Sequence, residues 1–208
     1  MRRSLAGFAA ALLLALAVSA QTAPPATGKA AASAGSSAPD LGAITYGVYR
    51  NPSFGISYRL PFGWVDRTDD MRQDPAESSK AMVLLGVFQH PPEATGSTLN
   101  AAVIITAESV SSYPGLKEAA QYFGPFSEVA TAKGLKAVNE PYEFPVDAKP
   151  VVRRDFAGQL HGLAVQQSTL VLLEKNYVLS FTFLANNNDE MVESIEGLAL
   201  GKTKPAHK

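Results

Sequence analysis

The stretch NPSFGISYRLPFGW, residues 51–64, decides the fold of this 208-residue chain. Its apolar residues alternate with small or polar ones, which is the period-two pattern of a strand buried on one face. The apolar positions are Phe54, Ile56, Tyr58 and Leu60. Pro61 and Gly63 then bend the chain so that Trp64 folds back onto the sheet. We interpret the stretch as a strand and a corner, because it contains no convincing acid, base, nucleophile or metal ligand.

Residues 1–20, MRRSLAGFAAALLLALAVSA, have the composition of a secretory signal peptide. Arg2 and Arg3 form its basic start, an apolar run follows, and small residues lead to a cleavage position after Ala20. The apolar run is shorter than the roughly 20 strongly apolar residues that a bilayer span needs. We therefore predict cleavage near Ala20 and a periplasmic or secreted protein.

Cysteine content and charge narrow the range of partners. The chain contains no cysteine, so it offers neither a disulfide framework nor an attachment point for a lipoprotein-type lipid anchor. Its formal net charge is -1, and removing the two positive charges of Arg2 and Arg3 gives -3. Nucleic-acid binding needs a clustered positive face. We therefore expect no nucleic-acid partner and no stable membrane anchor.

The composition divides the rest of the chain into three parts. Residues 21–44 consist mainly of Ala, Ser, Gly, Pro and Thr, which predicts a flexible linker. This linker is either a spacer that lets the domain reach a partner or a remnant of export. Residues 45–201 carry the apolar patterns of a single folded domain, and residues 202–208 form a basic, disordered tail.

The folded region mixes strands and helices. Two short helices are predicted between residues 115 and 133, separated at Gly124 and Pro125 because proline cannot donate a hydrogen bond in a helix interior. The second half consists mostly of strands, with a hairpin at EKN, residues 174–176. Asn187 is expected to cap the closing helix.

Searches for catalytic motifs find no nucleophile elbow, metalloprotease helix, phosphate loop or dinucleotide fingerprint. The Ser78 and Lys80 pair lies among charged neighbours, where a lysine is not desolvated enough to act as a base. His90 and His161 are far apart, and no close cluster of His, Asp or Glu completes a metal site. We therefore predict no catalytic residue, no metal ligand and no cofactor.

The best candidate for a binding site is VVRRDFAGQLHG, residues 151–162. In a strand, Arg153 and Asp155 point to one side and Arg154 to the other, so at least one guanidinium faces a groove between sheet and helix. The alternative is a solvated face or a cross-strand ion pair. We predict a binding groove edged by Arg153, Arg154 and the Trp64 corner, where a guanidinium beside aromatic rings binds an anion or a carboxylate.

Three segments together resemble the PsbP-like family over roughly residues 45–201: YRNPSFGISYRLPFGW, YVLSFTF and DEMVESIEGLAL. The resemblance implies an α+β fold, an α/β/α sandwich with a central, mainly antiparallel sheet of about six or seven strands flanked by helices. It also implies non-catalytic work, as in extrinsic photosystem II subunits, adaptors and small binding proteins. The matching residues are fold-defining in that family: Phe54, Gly55, Pro61, Gly63 and Trp64. Bacterial relatives are often lipoproteins, and the missing cysteine departs from that pattern.

Two functional hypotheses follow. The first is an exported, soluble, non-catalytic binding or assembly domain of the cell envelope, with an envelope protein or a small anionic ligand as partner. The second is a periplasmic hydrolase or metal-dependent enzyme with dispersed active-site residues, such as His90 or His161 with acids that folding brings together.

Overall fold

The computed structural model describes residues 39–74, 81–92, 99–147, 149–160 and 162–201. The predicted signal peptide, most of the predicted linker and the predicted tail lie outside these ranges. So do Ser78, Lys80 and His161. Within the described ranges, every helix falls short of the length and apolar character needed to cross a membrane.

The described residues form twelve strands, three α-helices and two 3-10 helices. The strands are β1 (Ala43–Thr45), β2 (Val48–Asn51), β3 (Ile56–Arg59), β4 (Val65–Asp66), β5 (Met82–Phe88), β6 (Ala102–Ser109), β7 (Leu135–Ala137), β8 (Tyr142–Val146), β9 (Lys149–Leu160), β10 (Leu163–Glu174), β11 (Tyr177–Ala185) and β12 (Leu198–Leu200). The helices are α1 (Thr68–Gln73), α2 (Phe123–Ala132) and α3 (Asn188–Glu196), and the 3-10 helices are Val110–Ser112 and Ala119–Tyr122.

The main sheet has eight strands in the order β4-β5-β6-β11-β10-β9, followed by β7 and β8, which both pair with the outer edge of β9. All of its pairings are antiparallel. The predicted α+β class with a mainly antiparallel central sheet is confirmed. The strand count is one higher than the upper predicted value because two short strands share one edge of β9.

A second sheet of four strands has the order β1-β2-β3-β12. Strand β3 is the strand predicted from residues 51–64, and its inward residues Ile56 and Tyr58 are fully buried. This sheet forms a separate layer that the sequence pattern does not predict. Its last strand, β12, pairs with β3 in the register Leu198 to Tyr58 and Leu200 to Ile56.

The main sheet buries both faces. One face packs against the small sheet and α3, in a cluster that includes Tyr58, Phe181 and Ile195. The other face packs against α1, α2 and the second 3-10 helix, in a cluster that includes Phe126 and Phe156. Burial of apolar side chains on both faces supplies the driving force that holds the sheet in place without disulfides.

Local capping and turn predictions are confirmed, and one helix boundary differs. Asn187 Oδ1 accepts a hydrogen bond from the Glu190 amide at 2.9 Å and caps α3. The hairpin at residues 174–176 turns through Lys175 and Asn176, whose φ angles of 49° and 69° match a two-residue turn. Helix α2 contains Pro125 instead of breaking there, because its first turn does not need the missing N–H.

Candidate binding site at the sheet edge

The hairpin of β8 and β9 assembles a side-chain cluster at one edge of the main sheet. Strand β8 pairs with the first part of β9, and Tyr142 lies directly opposite Arg153. Because alternate residues of a strand share a face, Phe144 and Asp155 project on the same side as Arg153. The sheet register therefore brings two aromatic rings and a carboxylate to one guanidinium.

Arg153 is held in place by stacking and by one ion pair. Its Cζ lies 5.0 Å from the centroid of the Phe144 ring and 5.9 Å from that of Tyr142. Its Nε donates to Asp155 Oδ1 at 2.8 Å, and its side chain is 15% exposed. The two terminal nitrogens make no hydrogen bond to any described residue. This end of the guanidinium has the geometry that binds a carboxylate through two parallel hydrogen bonds.

Asp155 is fixed from several sides. Its Oδ2 accepts hydrogen bonds from Asn139 Nδ2 at 2.7 Å and from the Tyr142 hydroxyl at 3.4 Å. Asn139 Oδ1 in turn accepts from the Asp155 amide at 3.0 Å. Burial raises the pKa of Tyr142, and the Asp155 carboxylate adds to this effect. Tyr142 therefore stays a neutral hydrogen-bond donor to Asp155. This hydrogen bond helps to hold the carboxylate that orients Arg153.

Arg154 lies on the opposite face of β9, as the sequence analysis predicted, and its donors bind protein groups. Its contacts are Asn139 O at 3.1 Å, Ser127 Oγ at 2.9 Å and Glu140 Oε2 at 3.6 Å. Its Cζ also lies 5.9 Å from the Phe156 ring centroid. These contacts join β9 to α2 and to the segment between β7 and β8, so Arg154 stabilises the scaffold.

Trp64 is not brought together with the two arginines. It immediately precedes β4, which pairs with β5 at the other end of the main sheet. Five interstrand spacings, about 24 Å, separate β4 from β9. Trp64 is half-buried against the core beneath the small sheet. Tyr142 and Phe144 take the aromatic role that the sequence analysis gave to Trp64.

Tyr142, Phe144 and Asn139 were not predicted as site residues. A signal for the two aromatic residues was present, because they alternate in YEFPV just before the β9 sequence. A tight hairpin between these segments places Pro145 opposite Pro150 and therefore Tyr142 opposite Arg153. Asn139 has no comparable signal, since it lies in the connection between two strands.

A second missed cluster lies on the α2 side of the sheet. Glu108 is 3% exposed, and the Tyr122 hydroxyl donates to its Oε1 at 2.7 Å. The Tyr113 hydroxyl donates to its Oε2. Burial raises the pKa of both tyrosines, and the nearby Glu108 charge raises it further, so both stay hydrogen-bond donors. The cluster holds residues 110–122 against β6. The sequence feature that could have indicated it is a lone Glu near the end of an apolar strand.

The structure gives no assembled metal site in the parts it describes. Among these residues, no group of three or more His, Cys, Asp or Glu side chains is placed to hold a metal ion. His90 is exposed, and its backbone exchanges two hydrogen bonds with the Asn100 side chain. His161 lies outside the described residues.

No family model matches the sequence. No curated protein matches it either. Among solved structures, the chain is similar to cyanobacterial PsbP (CyanoP) from Synechocystis sp. PCC 6803, with 11% identity and a TM-score of 0.47 over 74% of this chain and 91% of that chain.

Two further solved structures are similar to the chain. LpqN, involved in cell envelope biogenesis of Mycobacterium tuberculosis, has 12% identity and a TM-score of 0.39 over 68% of this chain and 76% of that chain. The Saccharomyces cerevisiae Ran-binding protein Mog1p has 13% identity and a TM-score of 0.39 over 71% and 80% of the two chains. With TM-scores below 0.5, these three similarities carry no argument about family membership or function.

Proposed function

We propose that the chain is an exported, soluble, non-catalytic binding or assembly domain of the cell envelope, a member of the PsbP-like family released by cleavage near Ala20. The observation that carries the binding role is the Arg153 guanidinium. It is pinned by Asp155, stacked on Phe144, and has its terminal nitrogens unbonded among the described residues. The export and the family membership rest on the signal peptide pattern and the sequence resemblance.

The surroundings of Arg153 favour a protein carboxylate over a small anion. Asp155 already offsets much of the positive charge, so a free anion gains little long-range attraction. A protein partner gains more, because Val138 and Tyr142 beside the cluster are 61% and 39% exposed and offer apolar contact area. A guanidinium held in one orientation also loses less conformational entropy on binding.

Affinity capture from a native envelope extract tests this role. The bait is residues 21–208, with Arg153→Ala and Arg153→Lys alongside. Lys149→Ala is the matched control, because Lys149 lies on the same strand and pairs with Glu174 at 2.9 Å. We expect a stoichiometric partner with the natural chain and with the control, and its loss with both Arg153 variants, because a lysine lacks the planar fork. Equal capture by the natural chain and Arg153→Ala would contradict the proposal.

Export is tested independently of the partner. A chain tagged at its C-terminus is expressed in a bacterium, the cells are fractionated, and the mass of the tagged protein is measured. We expect a chain that begins at Gln21 in the periplasm or the medium. A chain retained in the cytoplasm with residues 1–20 intact would show that the export proposal is wrong, while leaving the Arg153 site open to test.

A further inference from the structure

Two aromatic side chains in the described part of the chain are fully exposed. The relative accessibility of Tyr46 is 100% and that of Phe62 is 106%. Tyr46 lies in the two-residue turn between β1 and β2, and Phe62 lies in the turn that runs from Pro61 to Trp64. Aromatic side chains normally bury most of their area, so two complete exceptions need an explanation.

The two turns are neighbours. The Leu60 amide, just before the second turn, donates to the carbonyl oxygen of Gly47 in the first turn at 2.9 Å. Both turns therefore lie at the same end of the small sheet. We call residues 45–48 and 59–64 the aromatic tip.

Folding does not account for the aromatic residues of the tip. Tyr46 has a φ of 51°, a left-handed conformation that is costly for a bulky residue and that Asn or Gly adopts readily at this turn position. Its ring gains no burial in return. Phe62 likewise contributes no buried area. The costly backbone conformation of Tyr46 and the complete exposure of both rings occur at one place. This combination indicates that the tip contacts another molecule.

The charge and shape of the tip favour a lipid surface. Its single charged side chain is Arg59, which is exposed, and it contains no carboxylate. The aromatic rings project from turns, which suits shallow insertion among head groups, where aromatic residues are enriched. Two projecting rings are few for a stable protein interface, which needs about 20–30 residues a side. Arg59 adds attraction to anionic lipids.

We propose that the aromatic tip inserts reversibly into the interfacial region of a bilayer that contains anionic lipid, with Tyr46 and Phe62 as the inserting side chains and Arg59 as the head-group contact. The site goes beyond the proposed partner site and is independent of it. It gives a peripheral, reversible contact and not a stable anchor, because only two side chains enter the membrane.

The chain carries its own reporter of this contact. Trp64 is the single tryptophan of the sequence, and it lies two residues after Phe62. Its amide donates to Pro61 O at 3.3 Å, so its position is tied to the turn that presents Phe62. Tryptophan emission shifts to the blue when its surroundings become less polar. Trp64 also packs against the core beneath the small sheet, so its emission reports on the tip and on the adjoining part of the core.

Vesicle binding tests the inference. The full chain and the chain beginning at Gln21 are mixed with vesicles of equal parts phosphatidylcholine and phosphatidylglycerol, or of phosphatidylcholine alone. We expect co-sedimentation, a blue shift and quenching by bromine-labelled lipid with the mixed vesicles, and several-fold weaker binding to phosphatidylcholine. The lipid-borne quencher reads Trp64 alone, so adhesion through residues 1–20 does not imitate the result.

Variants separate tip insertion from other causes. Tyr46→Asn keeps the turn and relieves its costly backbone conformation, and Phe62→Ser removes an unburied ring. We therefore expect the double variant to unfold at the same or a higher urea concentration than the natural chain and to lose Trp64 quenching. Arg59→Gln should weaken binding to mixed vesicles several-fold and leave phosphatidylcholine binding unchanged. Leu41→Ser is the control, since Leu41 is 38% exposed at the far end of the β1–β2 hairpin.

Three results would overturn the inference: no quenching with either vesicle, undiminished quenching in the double variant, or a tip-dependent protein complex without vesicle binding. The single variant Phe62→Ser decides the matter if the double variant does not fold.

Discussion

The Tyr122 hydroxyl donates a hydrogen bond to Glu108 Oε1 at 2.7 Å, and both side chains are buried. Removing this donor with Tyr122→Phe leaves a buried carboxylate oxygen less well bonded. We expect the free energy of unfolding in urea to fall by about 1–3 kcal/mol. Tyr142→Phe is the control, because its hydroxyl makes a longer contact of 3.4 Å at a partly exposed site. Equal effects of the two variants would argue against a stabilising role for the Glu108 cluster.

Tyr58 presents the opposite case. Its hydroxyl is fully buried and has no hydrogen-bond partner in the described part of the chain. Tyr58→Phe removes this unsatisfied group and keeps the ring that packs near Phe183. We expect a gain of about 1 kcal/mol in the free energy of unfolding, measured by urea denaturation. A loss of stability would mean that the hydroxyl is satisfied, for example by a bound water molecule.

Stability should also depend on alkaline pH. Burial raises the pKa of Tyr58, Tyr113 and Tyr122 above their unfolded value of about 10. Above pH 10 the unfolded chain loses phenolic protons that the folded chain keeps. The free energy of unfolding therefore has its full value below this pH and declines above it. Each such tyrosine contributes a slope of about 1.4 kcal/mol per pH unit. Urea unfolding at several pH values measures the slope, which Tyr58→Phe should reduce. A flat profile would contradict the prediction.

The two adjacent arginines should contribute different amounts to the free energy of unfolding. Arg154→Ala removes the contacts to Asn139, Ser127 and Glu140, and we expect a loss of about 2–3 kcal/mol. Arg153→Ala removes one same-strand ion pair and the stacking on Phe144 and Tyr142, and we expect a smaller loss of about 1 kcal/mol. Both values come from urea denaturation. Similar losses for the two variants would show that Arg153 is also part of the scaffold.

Features that depend on neighbouring residues were predictable from the sequence. The strand of residues 56–59, the Asn187 cap and the hairpin at Lys175 and Asn176 all follow from local periodicity or from side-chain-to-backbone hydrogen bonds. The alternation of Arg153 and Arg154 between two faces of a strand was predictable for the same reason. Each of these features involves contacts within a few residues of the chain.

Features that depend on distant pairing were not predictable. Trp64 immediately precedes β4 and Arg153 lies in β9, and both strands belong to the main sheet. The period-two pattern of a strand does not say where in a sheet that strand lies. The pairing of β12 with β3 was missed because Leu198 continues the apolar pattern of α3. The outward direction of Phe62 depends on the turn that follows β3, whereas composition alone marked this stretch as a corner of the fold.

The pairing of β12 with β3 also sets the order of events in synthesis. Strand β3 has no outer neighbour until Leu198–Leu200 have been made, because the small sheet joins the first described strands to the last. A growing chain on the ribosome therefore cannot complete its native structure before these three residues have been made. Truncation before Leu198 should leave the outer edge of β3 unpaired, while β1, β2 and β3 keep their pairings with one another.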